Sequence, residues 1–266
     1  MKKLLFTTVC LLLVSSMALG QAKSRTTSKK VQRYGGLSCG SDPILPTDGA
    51  ATYDYVGLGG APGGANYYLV HLKDGHSYSA EAYDSTDPVI SGTAQLSLIA
   101  TDCQTSLPTK DVVSLDPDLS NDFADRISWI QSGNVDAVLI LTNNDSSNFY
   151  SYTIRIVDTT LHNPRWSTFS GFSTQYALVN NTNTAISGTL TLIDSTGTLY
   201  SANLTVPAGG ESFQTSGGLG VPANHFGFAT FAFVGPAGGI TADAYFINGN
   251  ATVIVPSTLA PRNYQH

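Results

Sequence analysis

Five carboxylate or amide side chains fall within ten residues: Asp116, Asp118, Asn121, Asp122 and Asp125. Hard carboxylate and amide oxygens at this spacing suit calcium, which accepts six to eight such ligands. An EF-hand loop counted from Asp116 would need Gly at its sixth position and Glu at its twelfth; Asn121 and Ile127 stand there instead. The cluster therefore reads either as an irregular calcium site or as a solvated acidic turn. Gly36-Leu37-Ser38-Cys39-Gly40 has the lettering of a nucleophile elbow. That motif needs a strand before the serine and a helix after it. Here a basic polar stretch precedes it and Ser41-Asp42-Pro43 follows, so no nucleophile is assigned to Ser38. The histidines are His71, His76, His162, His225 and His266. None sits with Cys or carboxylate at zinc-ligand spacing, and H-E-x-x-H is absent. His71 and His76 flank a turn across which they could approach one another; a surface pair is the expectation there. The glycine runs lack a following Lys-Ser/Thr and read as turns rather than phosphate loops. No catalytic residue emerges, and no cofactor beyond possible calcium.

Two further sets carry binding or cross-linking chemistry. Cys39 and Cys103 form an even pair once Cys10 is removed with a leader, which in an exported chain favours a disulfide; two buried free thiols are the alternative. Tyr53, Tyr55, Tyr67, Tyr68, Tyr78 and Tyr83 crowd one stretch. Rings on an exposed sheet face can stack on sugars or on a partner protein. Strand alternation sends about half of them into a core instead.

The leader itself is clear. Lys2-Lys3 precede the apolar run Leu4–Val14, and Ala18-Leu19-Gly20 places small residues where a signal peptidase reads, so residues 1–20 are expected to be a signal peptide. The run is short for a membrane span, and no later segment is a candidate, so no membrane insertion is expected. Residues 21–33 hold five of the 13 Lys and Arg with few apolar side chains, the composition of a disordered basic arm. A net charge of -6 argues against nucleic acid as a partner, because phosphate backbones need clustered cations. Only 12% of residues are charged, about half the usual share, while hydroxyl and amide side chains abound. That balance suits a rigid β-protein with uncharged faces.

Positioning these residues falls to strands. Tyr150, Tyr152, Ile154 and Ile156 alternate with polar neighbours, a half-buried strand. Pro164 cannot donate to a ladder, so the strand ends before it and a linker over 159–165 is expected, with Trp166, Phe169 and Phe172 as apolar filling between two domains. Residues 34–158 form the first domain. Its clearest unit is a hairpin of 67–72 and 76–83 about Lys73-Asp74-Gly75, followed by strands at 94–100, 126–130, 137–141 and 149–157. Residues 166–256 form the second, with seven strands at 175–180, 186–193, 199–206, 211–215, 225–234, 240–247 and 252–255. Residues 257–266 are a polar tail.

The run Tyr67-Tyr68-Leu69-Val70-His71-Leu72-Lys73-Asp74-Gly75-His76-Ser77-Tyr78 and the closing Tyr152-Thr153-Ile154-Arg155-Ile156 resemble the bacterial pre-peptidase C-terminal (PPC) domain over 51–158. Asp136-Ala137-Val138-Leu139 only partly echoes that family's Asp-x-Asp-Leu strand. The resemblance implies a jelly-roll-like sandwich that accompanies secreted enzymes, sometimes binds calcium or polymeric substrate, and is not itself catalytic. The second domain is similar in strand count and spacing to the immunoglobulin-like modules of bacterial surface and secreted proteins. The expectation is an all-β chain of two consecutive sandwiches, secreted or held at the cell surface, extracellular or periplasmic. It would be a non-enzymatic binding or adhesion protein for an extracellular polysaccharide or protein. The rivals are an accessory or catalytic part of a secreted hydrolase, and a structural subunit of an extracellular assembly.

Overall fold

A computed structural model describes residues 42–57, 64–84, 94–112, 123–248 and 255–261; at 83, 84, 123, 124, 150 and 255–261 it describes the backbone alone. The signal peptide, the basic arm, Ser38, Cys39, His266 and the acidic residues Asp116, Asp118, Asn121 and Asp122 lie outside the described residues. The chain is all-β, with two one-turn 3-10 segments among the described residues, at Phe169–Gly171 and Gly217–Leu219.

Eight strands build the first core: β1 Thr52–Val56, β2 Ala65–Leu72, β3 Ser77–Asp84, β4 Ala94–Ala100, β5 Lys110–Asp111, β6 Phe123–Ile130, β7 Val135–Asn143 and β8 Tyr150–Asp158. They form a five-stranded sheet, β1-β8-β3-β6-β5, and a three-stranded sheet, β2-β7-β4. Alternate residues of both sheets meet between them: Tyr68, Val70, Leu98 and Leu139 from the smaller sheet, and Tyr78, Trp129, Tyr152 and Ile154 from the larger. The expected alternation along β8 holds, with Tyr152, Ile154 and Ile156 all buried.

The expected hairpin is corrected. β2 pairs with β7 while β3 pairs with β6 and β8, so Lys73-Asp74-Gly75 carries the chain from one sheet to the other. Gly75 does take the positive φ, 71°, that the tight corner requires. The corner is clasped to the neighbouring one between β6 and β7. Gly75 N–H donates to the Gln131 carbonyl, and the Asp74 and Asn134 side chains accept from the Gly133 and Asp74 amides.

The linker expected over 159–165 is also corrected. Thr159 and Thr160 alone separate β8 from β9, Leu161–Ser167, which belongs to the second sheet system. Seven more strands follow: β10 Phe172–Asn180, β11 Ile186–Asp194, β12 Leu199–Val206, β13 Glu211–Thr215, β14 Phe226–Val234, β15 Ile240–Asn248 and β16 Val255–Pro261. Their order is β12-β11-β14-β9-β16-β15-β10-β13, and β12 comes round to touch β13 and β10, so the sheet folds over its own core. β16 occupies residues given above to the last strand at 252–255 and to the polar tail.

Pro164 sits inside β9 because the strand bulges there. Asn163 pairs with Ala229 and Trp166 with Gly227, leaving Pro164 and Arg165 opposite Phe228. A bulge is where a strand tolerates proline's missing donor. The Phe228 carbonyl instead accepts the Trp166 indole N–H at 2.9 Å. Trp166 is therefore fully buried in the second core, beside Tyr176, Phe231 and Phe233, rather than filling a gap between domains.

Each core thus holds one of the chain's two tryptophans, Trp129 and Trp166. A Cβ on Gly188 would lie 2.5 Å from the Ala232 carbonyl oxygen and 2.6 Å from the Phe231 ring. Gly188→Ala is expected to cost the second sandwich about 1–3 kcal/mol, the usual range for overpacking. The loss should appear in urea titrations as an earlier Trp166 emission transition in a Trp129→Phe background. An unchanged transition would contradict the close packing of β11 on β14.

Candidate functional site

The aromatic set singled out in the first domain does not form one face. Tyr68 and Tyr78 are core residues. The Tyr68 hydroxyl donates to Asp54 Oδ2 at 2.7 Å, and the Tyr78 hydroxyl accepts the Lys73 amide at 2.9 Å. Burial pushes the Tyr78 phenol up to about 12. Tyr53 and Tyr55 lie on the outer side of β1 and Tyr67 on that of β2, in different sheets. Among the described rings of the set, only Tyr55 is largely exposed, against Phe149. The ring of Tyr83 lies outside the described residues.

Of the acidic cluster, Asp125 is described. Its Oδ2 accepts the Leu96 amide and its Oδ1 the Arg126 amide, and burial holds its carboxyl above the ordinary carboxylate value. Among the described residues, no group of three or more His, Cys, Asp or Glu side chains converges on a metal position. His71 and His76 do not meet. Because β2 and β3 belong to opposite sheets, His71 donates to its register partner Asp136 on β7, and His76 donates to Asp158 at the domain joint.

Among the described residues, four of the eight exposed large hydrophobic side chains gather where the sequence reading did not look, on the outer face of the second sandwich. β14 carries phenylalanine at two parities. Phe231 and Phe233 point into the core, while Phe226 and Phe228 point outward, each 47% exposed. Register sets Ile193 of β11 directly beside Phe228, and Leu199 of β12 directly beside Ile193. Phe169, on the 3-10 turn after β9, lies 5.9 Å from Phe226 between ring centroids. Next to this apolar row, in register, come Ser201, Thr191 and Thr230, and beyond them Asn203 and Thr189. Thr189 Oγ1 donates to Asn203 Oδ1 at 2.9 Å, and Ser187 and Thr205 pair in the same way at 3.1 Å. No outward position on β11, β12 or β14 carries a charge.

The loops bearing the rings are held. Thr168 Oγ1 donates to the Pro222 carbonyl and accepts the His225 amide, while the Thr168 amide donates to the His225 carbonyl. The Ser195 amide donates to the Phe226 carbonyl. Asp194 closes the β11–β12 turn. Its Oδ1 accepts from the Thr196 hydroxyl, the Thr196 amide and the Thr198 amide, and its Oδ2 from His225 Nδ1 at 3.1 Å. These donors, the Thr196 hydroxyl first, hold its carboxyl far below the usual carboxylate range despite its enclosure.

No protein-family model matches the chain, and no curated protein matches it either. Function therefore has to be argued from this geometry.

Asp194 generates a pH prediction. A carboxyl depressed in the folded state adds stability that is complete above its unfolded value, about 3.9, and is lost as pH falls below it. Stability of the wild type should decline below about pH 4, and Asp194→Asn should flatten that acid limb. Denaturant midpoints at a series of pH values test this; parallel acid limbs would refute the turn's role.

Proposed function

We propose that the chain is an exported, non-catalytic binding protein that holds an extracellular polymer or protein on a sheet face. The observation that carries this reading is the uncharged outer face of β14, β11 and β12. It exposes Phe226, Phe228 and Leu199 beside rows of hydroxyls and amides, with the ring-bearing loops pinned from behind. Exposed contiguous apolar area of this kind on a soluble protein marks an interaction surface. Residues 1–20 act as the signal peptide, and the product is secreted or stays at the cell surface. The first sandwich is a PPC-like module and the second an immunoglobulin-like one, both serving as scaffold. The acidic stretch around Asp125 is the place for calcium if the ion binds.

Cys39 and Cys103 form the disulfide. What supports it is Cys103 itself, a disulfide cysteine at a turn with φ of 64°. On the chain-entropy view a loop of this length contributes about 4 kcal/mol. Reduction with a phosphine should therefore lower the melting temperature of the chain from Gln21 onward, and an unchanged melt would count against the bond.

The binding reading is tested with that same chain in pull-downs on cellulose, chitin, peptidoglycan and a matrix-protein array, in excess unrelated protein. Retention on at least one surface is expected; retention on none overturns the reading. Elution as large species in size exclusion would favour an assembly subunit instead. Turnover of a retained polymer would favour the hydrolase.

A further inference from the structure

We infer that the outer face of β14, β11 and β12 takes a neutral, extended polysaccharide; this rests on the binding reading above and names its ligand class. Neighbouring strands are about 4.8 Å apart, and residues of one face recur about every 7 Å along a strand. An apolar row, Leu199–Ile193–Phe228, therefore runs across the strands roughly 7 Å from a parallel hydroxyl row, Ser201–Thr191–Thr230. A pyranose chain presents the matching pair of features. The C–H face of each ring is apolar and stacks on aromatic and aliphatic side chains, and the hydroxyls project from its rim. Laid along the apolar row, such a chain directs its rim hydroxyls at Ser201, Thr191 and Thr230. Hydroxyl side chains both donate and accept, so they serve any sugar hydroxyl orientation.

The absence of charge on these strands selects among ligands. An acidic polymer would need cations, and protein interfaces are enriched in arginine. Outward positions on β11, β12 and β14 offer neither, and the exposed Arg165 of β9, opposite Phe228, is the only Lys or Arg among the described residues of the second sandwich, a single cation at the edge rather than a cluster. Leu199, Phe226, Phe228 and Phe169 expose 64%, 47%, 47% and 43% of their surface. At about 200 Å² for a large side chain the patch comes to roughly 400 Å² of apolar surface. It is sufficient for a short run of sugar rings. The face also ends at a wall. Ala232 and Gly235 are buried where β14 packs on β3 and β6, and the Gly235 amide donates to Ser128 Oγ of the first sandwich at 3.1 Å. A polymer is thus confined to the β11–β12 side and the Phe226 end.

Isothermal titration with cellohexaose, chitohexaose and xylohexaose, and with polygalacturonate as the anionic comparison, tests this at 0.15 and 1 M NaCl. The expected result is binding of at least one neutral hexasaccharide with the same affinity at both salts, since screening does not touch an uncharged ligand. Phe228→Ala should weaken it at least tenfold and Thr191→Val severalfold. Phe213→Ala, at an exposed ring on β13, should not change it. Circular dichroism and melting temperature should match wild type in all three. Wild-type affinity in both Phe228→Ala and Thr191→Val removes the ligand from this face, while the binding reading stands on whatever is retained. Binding of polygalacturonate alone, or a dimer that Phe228→Ala dissociates, overturns the inference in favour of an acidic polymer or a second copy. Retention of proteins alone, lost in Phe228→Ala, keeps the face and overturns the sugar. Retention of no polymer and no protein overturns both readings.

Discussion

The strap between Ser77 and Thr159–Thr160 fixes everything that follows it in the chain. Two residues separate the last strand of one sandwich from the first of the next, and neither has slack. The Thr159 amide donates to the Ser77 carbonyl, the Ser77 amide to Thr160 Oγ1, and the Thr159 hydroxyl to the Ser77 hydroxyl. Thr160 N–H in turn donates to Asp158, whose other oxygen accepts from His76. Burial alone would raise the Asp158 carboxyl, but the His76 and Thr160 bonds outweigh it and hold the group ionised below its ordinary value. Each such bond adds about 1 kcal/mol net, but leaving one of these buried donors unmade costs more. β9 must therefore start beside β3, which in turn lays the Ala232–Gly235 end of β14 against the first sandwich. β3 shows the consequence: Ser77, Ser79 and Glu81, on the side away from its own core, are as buried as Tyr78 and Ala80.

Strand positions were legible in the sequence because alternation is a local property. β4 spans the residues expected, Ala94–Ala100, and β8 and β11 differ by a residue or so. Partners were not legible. A period of two says which side chains face a core, but two strands facing one core from opposite sheets write the same pattern as two strands of a hairpin. β2 and β3 were misread for this reason. Proline supplied the other error. Read alone, Pro164 ends a strand; in the fold its missing donor falls at a bulge, and Phe228 turns its carbonyl to the Trp166 indole. That exchange depends on a residue 62 positions away. No local rule contains it.

The candidate face was half legible. Phe226 and Phe228 share one parity and Phe231 and Phe233 the other, which already requires apolar side chains on both faces of β14. Which parity faces the core follows from neighbours such as Ala229 and from the packing of Gly188, and these need the three-dimensional pairing. The row Leu199–Ile193–Phe228 exists because the Asp194 turn sets β12 in register with β11; a slip of one residue would turn Leu199 inward. The tyrosines drew attention instead because they cluster in sequence, yet Tyr68 and Tyr78 are there to fill a core and satisfy Asp54 and Lys73.

A neutral face beside a deeply ionised carboxylate is a consistent design. Asp194, its own side chain buried, engages its charge with Thr196, Thr198 and His225, so the turn is held without placing a charge outward on β11, β12 or β14, and the exposed Arg165 of β9 stands at the edge of the face. Thr168 does the same for the Phe169 and Phe226 loops with uncharged bonds. The rings are thus ordered before any ligand arrives, which reduces the side-chain entropy that binding would otherwise cost. The remaining arithmetic sets the strength of a single contact. Roughly 400 Å² of apolar area at about 25 cal/mol per Å² gives a gross gain of order 10 kcal/mol. Lost translation and rotation take back about 4–15 kcal/mol, which leaves a weak individual site. A repeating ligand changes that balance, because adjacent identical segments raise the local concentration of sites without any new contact. A weak, preorganised face of this kind would therefore suit the polymer proposed above more than a single small molecule.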